Sequence, residues 1–194
     1  MKRTNPMQYI VIVLSIFLTS FATAHAQRVA IKNNVLYDLT ATPNLGIEVG
    51  LSRHMTAQLF YGLNPWKGKD GIILRHWQLM PEVRYWTCQK FNGHFFGVHL
   101  MGGEFKVQDY DAPFGLLPNL KDNLYRGWNA GAGLTYGYQW ILGRHWNLEA
   151  SIGVGYDYIK YKKYECMDCG ALKDDDHLHY FGPTKLALSI MYVF

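Results

Sequence analysis

The densest group of chemically capable side chains in this 194-residue chain is Cys166-Met167-Asp168-Cys169, followed by Asp174-Asp175-Asp176, His177 and His179. Three chemistries fit it. Two thiols this close oxidise readily to a disulfide in an oxidising compartment, and so short a loop adds little through chain entropy. Cys166, Cys169, His177 and His179 also form a two-Cys, two-His set of the kind that holds structural zinc tetrahedrally. Free thiols or a redox pair are the third possibility, but the strand–helix setting of a thioredoxin-like motif is missing. The Cys166–Cys169 disulfide is the expected state, with no metal and no cofactor. Cys88 is expected at the opposite end of the fold from that pair, as an unpaired thiol.

Catalysis finds less support. No Gly-x-Ser-x-Gly, His-Glu-x-x-His, phosphate-loop or dinucleotide fingerprint occurs. An enzyme would need a nucleophile or base beside His76, His177 or His179, and no serine adjoins them in the sequence. No catalytic residue is assigned; a lipid-modifying site near His177 and His179 is the alternative. The segment 106–124 holds Asp109, Asp111 and Asp122 without the oxygen spacing of a calcium loop. Its Phe114-Gly115-Leu116-Leu117 run is apolar for a loop, so 106–124 and 162–179 are where an external partner would dock. His54, His94 and His145 each follow a turn. They lie on separate turns, so they read as polar residues at an interface rather than as a ligand set.

A second constellation emerges from periodicity. Lys32, Glu48, Glu82, Arg84, Glu149, Asp157 and Lys185 all occupy the polar phase of segments that alternate with period 2. The clearest segment sets Trp128, Ala130, Ala132, Leu134, Tyr136, Tyr138 and Trp140 against Gly127, Asn129, Gly131, Gly133, Thr135, Gly137 and Gln139. Another sets Thr184, Leu186, Leu188, Ile190, Tyr192 and Phe194 against Lys185, Ala187 and Ser189. Strands are expected near 28–37, 44–51, 55–63, 74–87, 94–105, 125–140, 146–161 and 180–194. Eight antiparallel strands can close into an up-and-down barrel with no free edge.

The polar face decides which side of the barrel is inside. It carries Gly, Asn, Ser and a few charges rather than the Lys, Glu and Thr of a solvated face, which suits a narrow interior. Charges enclosed there must pair, so the seven are expected to form an ion network that plugs the barrel; a narrow gated pore is the other reading. The apolar face then points outward, with Trp128, Trp140, Trp146, Tyr156, Tyr158 and Tyr192 near strand ends as in an interfacial aromatic girdle. Short links at 52–54, 89–93 and 142–145 alternate with long ones at 64–73, 106–124 and 162–179, the asymmetry of outer-membrane barrels.

The first 26 residues read as a secretory signal peptide. Lys2 and Arg3 precede an uncharged apolar run from Tyr9 to Phe21, and Ala24-His25-Ala26 is a small-x-small cleavage site. The run is shorter than the roughly 20 residues that span a bilayer. Residues 27–194 then form the barrel. Tyr192 and Phe194, in outward phase on the last strand, resemble the terminal signal read by the barrel assembly machinery. With 49% hydrophobic residues, 15% aromatic and 18% charged, the chain is not disordered. A net charge of +4 is no nucleic-acid signature.

The architecture resembles the small eight-stranded outer-membrane barrels of the OmpX and OmpA-membrane-domain type. The wording is similar to that of an uncharacterised family of Bacteroidetes exported proteins known as a domain of unknown function. The blocks that carry this resemblance are Asn34-Val35-Leu36-Tyr37-Asp38, Thr42-Pro43-Asn44-Leu45-Gly46, Asn64-Pro65-Trp66, Pro81-Glu82-Val83-Arg84-Tyr85-Trp86, Phe91-Asn92-Gly93-His94-Phe95, Cys166-Met167-Asp168-Cys169-Gly170 and Gly182-Pro183-Thr184-Lys185. The resemblance implies a fold and a place, not an activity. The sequence therefore reads as a monomeric outer-membrane barrel in contact with outer-membrane lipids, with a structural or surface-interaction role. Mass spectrometry tests the cysteine reading. The peptide holding Cys166 and Cys169 should be lighter by two hydrogens than its reduced form, whereas a stoichiometric zinc ion lost on His177→Ala would establish the metal site instead.

Overall fold

The computed structural model describes residues 28–66, 73–108, 124–164 and 172–194, with the backbone alone at 73 and 172–175. The leader at 1–26, the Phe114–Leu117 run and the Cys166–Cys169 pair lie outside the described residues. Eight strands follow one another: β1 (Val29–Asn34), β2 (Asn44–Gly50), β3 (Met55–Asn64), β4 (Ile73–Trp86), β5 (Gly93–Gln108), β6 (Leu124–Ile141), β7 (Trp146–Tyr164) and β8 (Leu172–Val193). Each pairs antiparallel with its neighbour in the chain. β1 also pairs with β8, from Ala30↔Val193 to Asn34↔Ser189, so the up-and-down sheet closes into a barrel.

Alternation sets which face is enclosed. Along β3, and along β7 as far as Asp157, every second residue is buried, and the intervening side chains are Met, Ala, Leu, Tyr, Trp, Ile and Val. The fully enclosed side chains include Arg84, Glu48, Glu149, His99 and Gln139. Leu134 is 64% exposed, Val98 58%, Leu100 57% and Leu186 63%. The polarity of an ordinary globular core is thus inverted.

The strands lengthen steadily around the ring, from 6 residues in β1 to 22 in β8. Where the ring closes, the longest strand meets the shortest, and β8 continues past the end of β1. The Asn34 side chain bridges this step. Its Oδ1 accepts from Leu188 N at 3.1 Å and from Leu36 N at 3.2 Å, while its Nδ2 donates to Leu186 O at 3.3 Å. One amide side chain thereby extends the ladder by a peptide unit, because an amide offers the same donor and acceptor as the backbone. Asn44 locks the other side. It accepts from Asn34 N at 2.7 Å and donates to Asn34 O at 3.1 Å and Asp38 Oδ1 at 3.0 Å.

The structure corrects several boundaries. The first strand, expected over 28–37, stops at Asn34, and Val35–Leu39 forms a short helix, α1, capped by Asn34. The cap satisfies an amide that the strand ladder no longer pairs. The segment 162–179 is expected as a loop, but its described residues, 162–164 and 172–179, are strand. Lys162 opposes Asp175, Tyr161 opposes Asp176 and Lys160 opposes His177 across β7 and β8. The backbone ladder between β7 and β8 therefore runs well past Tyr180. Thr184, expected to point outward, turns inward. Gly153 pairs with Lys185 while Val154 pairs with Pro183, a register shift that leaves Thr184 as the extra residue of a bulge. The adjacent Pro183 has no N–H to give the ladder.

Asn34→Ala should destabilise the protein by about 1–3 kcal/mol, since it strips partners from three backbone groups at the closure. Asn34→Asp, which keeps both acceptor contacts, should cost less. Denaturant unfolding of the two variants beside the unaltered chain checks the order.

Candidate functional site

The barrel interior is layered along its axis. At the end with the short links, Ala30, Trp86, Phe91, Phe95, Met191 and Val193 form an apolar floor. Phe91 reaches it from a turn residue with φ of 65°, a conformation that bulky residues rarely adopt. Its ring is 2% exposed and lies 6.0 Å from that of Trp86.

Above the floor sits the ion cluster. The Lys32 ammonium lies 2.6 Å from Glu48 Oε2 and 2.9 Å from Glu149 Oε2. Arg84 reaches both: Nη1 is 2.9 Å from Glu48 Oε2 and 2.8 Å from Glu149 Oε2, and Nη2 is 3.1 Å from Glu149 Oε1. Nη2 also meets Glu82 at 3.2 Å, and Lys185 pairs with the same carboxylate oxygen. Three cations and three carboxylates therefore balance, as their enclosure requires. The cluster has polar and aromatic supports. Trp86 Nε1 donates to Thr56 Oγ1 at 2.9 Å, and Thr56 donates to Glu48 Oε1 at 2.5 Å. The Arg84 guanidinium lies 4.3 Å from the centre of the Phe95 ring, a cation–π contact in a desolvated place.

Of the seven charges singled out from the sequence, these six meet in one network. Asp157 does not join them. It lies further toward the long-link end, where its two oxygens accept from Asn129 Nδ2 at 3.2 and 3.0 Å. A residue that sequence reasoning passed over, His99, links the layers. It is fully buried, with Nδ1 2.8 Å from Thr135 Oγ1 and Nε2 3.0 Å from Thr184 Oγ1. Gly133 and Gly153 make room for its ring: a Cβ at either would lie 2.7 or 2.9 Å from it. The legible signal was a histidine in the same phase as Gly97 and Gly103.

Above these layers the long-link end opens into a cavity of about 770 Å³, with Asn64, His76, Phe105 and Tyr161 on its wall. A smaller one of about 60 Å³ touches Lys32, Tyr37, Arg84 and Lys185 beneath α1.

The remaining candidates occupy the outer face. His54 stacks on Tyr85 at 6.1 Å, His145 on Tyr192 at 5.3 Å, and His94 Nδ1 lies 2.7 Å from Tyr136 Oη. Each short link thus carries an imidazole–phenol pair, and the three stand apart. His179 meets Tyr156, and its ring lies 5.2 Å from that of His177. Asp176 stands 3.8 Å from His177 Nδ1, with both side chains more than half exposed. Among the described residues no three His, Cys, Asp or Glu side chains converge on a metal-sized site. Cys88 is a free, exposed thiol on the link between β4 and β5. Tyr192 and Phe194 stack edge to face at 5.0 Å.

These features define a class: an all-β, eight-stranded up-and-down barrel with a charge-balanced ion cluster inside and an apolar exterior. Within that class the chain belongs to the family described as Protein of unknown function (DUF3575), whose model matches residues 10–194. No curated protein matches it.

The charge count gives a stability test. Arg84→Met leaves Glu48 and Glu149 short of a cation and should cost about 3–5 kcal/mol. Arg84→Met combined with Glu149→Gln removes one charge of each sign and should recover much of that loss. Equal losses in the single and double variants, measured by chemical unfolding, would show that charge balance is not what holds the interior.

Proposed function

We propose that this protein is a small outer-membrane β-barrel, closed by its ion cluster, with a structural or surface-interaction role. The observation that carries this reading is the inverted polarity. Ile152, Val154, Leu134, Val98, Leu100 and Leu186 form an outward apolar belt while lysine, arginine and glutamate are enclosed. In water such a belt would far exceed the few hundred Å² of contiguous apolar surface that monomers tolerate. In a bilayer it is the solvated face, and a closed ladder is the way a sheet pairs its backbone among lipid tails. Aromatic residues near both ends of the belt support the same placement: Trp77 and Trp128 at one end, Trp140, Trp146 and Tyr85 at the other. The ion cluster joins β1, β2, β4, β7 and β8 across the interior. A cross-section filled in this way favours a plug over a conducting pore.

On this reading the chain is exported by its N-terminal segment, and the open end with the longer links faces outward. The cavity there and the links bordering it are the surface available to a partner.

Membrane fractionation and a heat shift on gels test the placement. The folded chain should stay with outer membranes and migrate differently before and after boiling; soluble protein with no shift would overturn the proposal. Ala132 points outward, so Ala132→Arg should cost about 2–4 kcal/mol at the bilayer midplane. A lipid-phase probe should label cysteine at 132 and not at 133.

A further inference from the structure

The outer face at the long-link end carries a row of cations that the ion cluster does not use. Arg75 of β4 opposes Lys106 of β5, Lys106 opposes Arg126 of β6, and Arg126 opposes Lys162 of β7. Four like charges thus lie side by side on four adjacent strands, over three inter-strand steps of about 4.8 Å each. Arg75, Arg126 and Lys162 are exposed and Lys106 is half-buried. The next outward row toward the belt is Trp77, Glu104, Trp128 and Lys160, again in register. Trp77 Nε1 donates to Glu104 Oε2 at 3.3 Å.

Like charges directly opposite one another weaken a sheet. At the far end of the row the backbone of Lys162 pairs with that of Asp175 on β8. Glu104, one outward row lower, is the other carboxylate these register pairs bring to the group. Arg75, Lys106 and Arg126 form the contiguous run of three on β4, β5 and β6. Two guanidinium groups flanking an ammonium suit phosphate, which arginine grips with paired N–H donors. The depth indicates the source of that phosphate. The cations stand one outward row above Trp77 and Trp128, and tryptophan marks the boundary between acyl chains and headgroups.

We propose that Arg75, Lys106 and Arg126 form a docking surface for phosphorylated lipid headgroups on the outward face of β4–β6. This rests on the membrane placement proposed above. The lipid supplies both halves of the match, with acyl chains against the belt and phosphate against the cations. The ligand would separate the like charges and order the lipid around this flank of the barrel.

The test uses the full folded chain in phosphatidylcholine vesicles containing a minor fraction of phosphatidic acid, with bromine on the acyl chains of one lipid or the other. Bromine quenches tryptophan on contact, so the ratio of the two quenching curves reports lipid preference. The unaltered protein should favour phosphatidic acid about tenfold, with the preference falling as salt rises. The triple variant Arg75→Gln/Lys106→Gln/Arg126→Gln should lose it. Arg53→Gln/Arg144→Gln, which removes charge at the short links, should keep it. If the triple variant does not insert, Arg75→Gln/Arg126→Gln spares half-buried Lys106 and carries the test. Equal preference in the triple variant and the unaltered chain overturns the inference, as does equal loss in the short-link variant. A protein that shows the heat shift and is quenched by brominated phosphatidylcholine, yet has no preference, sinks this inference and leaves the membrane placement standing. A protein with neither heat shift nor quenching sinks both.

Discussion

Enclosing charge is the constraint that organises this molecule. A closed sheet of eight strands encircles a space that side chains just fill, and here much of the filling is ionic. Arg84 is the hub, since its guanidinium touches Glu48, Glu82 and Glu149, which come from β2, β4 and β7. Lys32 and Lys185 then draw in β1 and β8. The two strands that close the ring are thus tied through the interior as well as by their ladder. A network that loses its balance when any one of the six groups is displaced also specifies register. Slipping one strand by a residue turns its charge to the outer face and leaves its partners unmatched.

The seam between β1 and β8 is where geometry conflicts with closure. A 6-residue strand cannot pair the whole length of a 22-residue one. The Asn34–Asp38 and Thr42–Gly46 blocks settle the conflict locally. Asn34 supplies a surrogate peptide to β8, Asn44 holds Asn34, and α1 folds over the interior so that Tyr37 meets Phe60 edge to face at 5.1 Å. Gly62 permits this approach, because a Cβ there would stand 2.9 Å from the Tyr37 ring. Blocks that carry the family resemblance in the sequence are, in the fold, the fastening of the seam.

Strand number, the two faces and the grouping of charges were legible because alternation is a one-dimensional signal. Lys32, Glu48, Glu82, Arg84, Glu149 and Lys185 share a phase, and phase alone decides which face they occupy. Their pairing was not legible, because it depends on register between strands far apart in sequence. Asp157 shares the phase yet sits in another layer, where Asn129 holds it. Thr184 was misplaced because a bulge adds a residue without any change in composition. The end of β1 was misread because Val35, Leu36 and Tyr37 suit strand and helix alike, and only the contacts of Asn34 decide between them. The strand character of 172–179 was hidden by its acidic run. Three aspartates argue for a loop, yet the backbone of 174–176 pairs with that of 161–163 on β7.

The interior and the outer face answer opposite solvents, and each shows it in how it treats charge. Inside, no counter-ion is at hand, so cations and carboxylates balance within one cluster. Outside, at the long-link rim, arginine and lysine stand in unbroken series across β4, β5 and β6. Among the described residues of β4, β5 and β6 no carboxylate stands in that row, and Glu104 lies one outward row away, so the row is where the inferred anion outside the chain would serve. The short-link rim makes the contrast. There the outward positions stack His54 on Tyr85 and His145 on Tyr192, and Arg53 and Arg144 stand on separate links rather than in a row. The two rims therefore differ in chemistry as well as in link length, and that difference gives the barrel a direction.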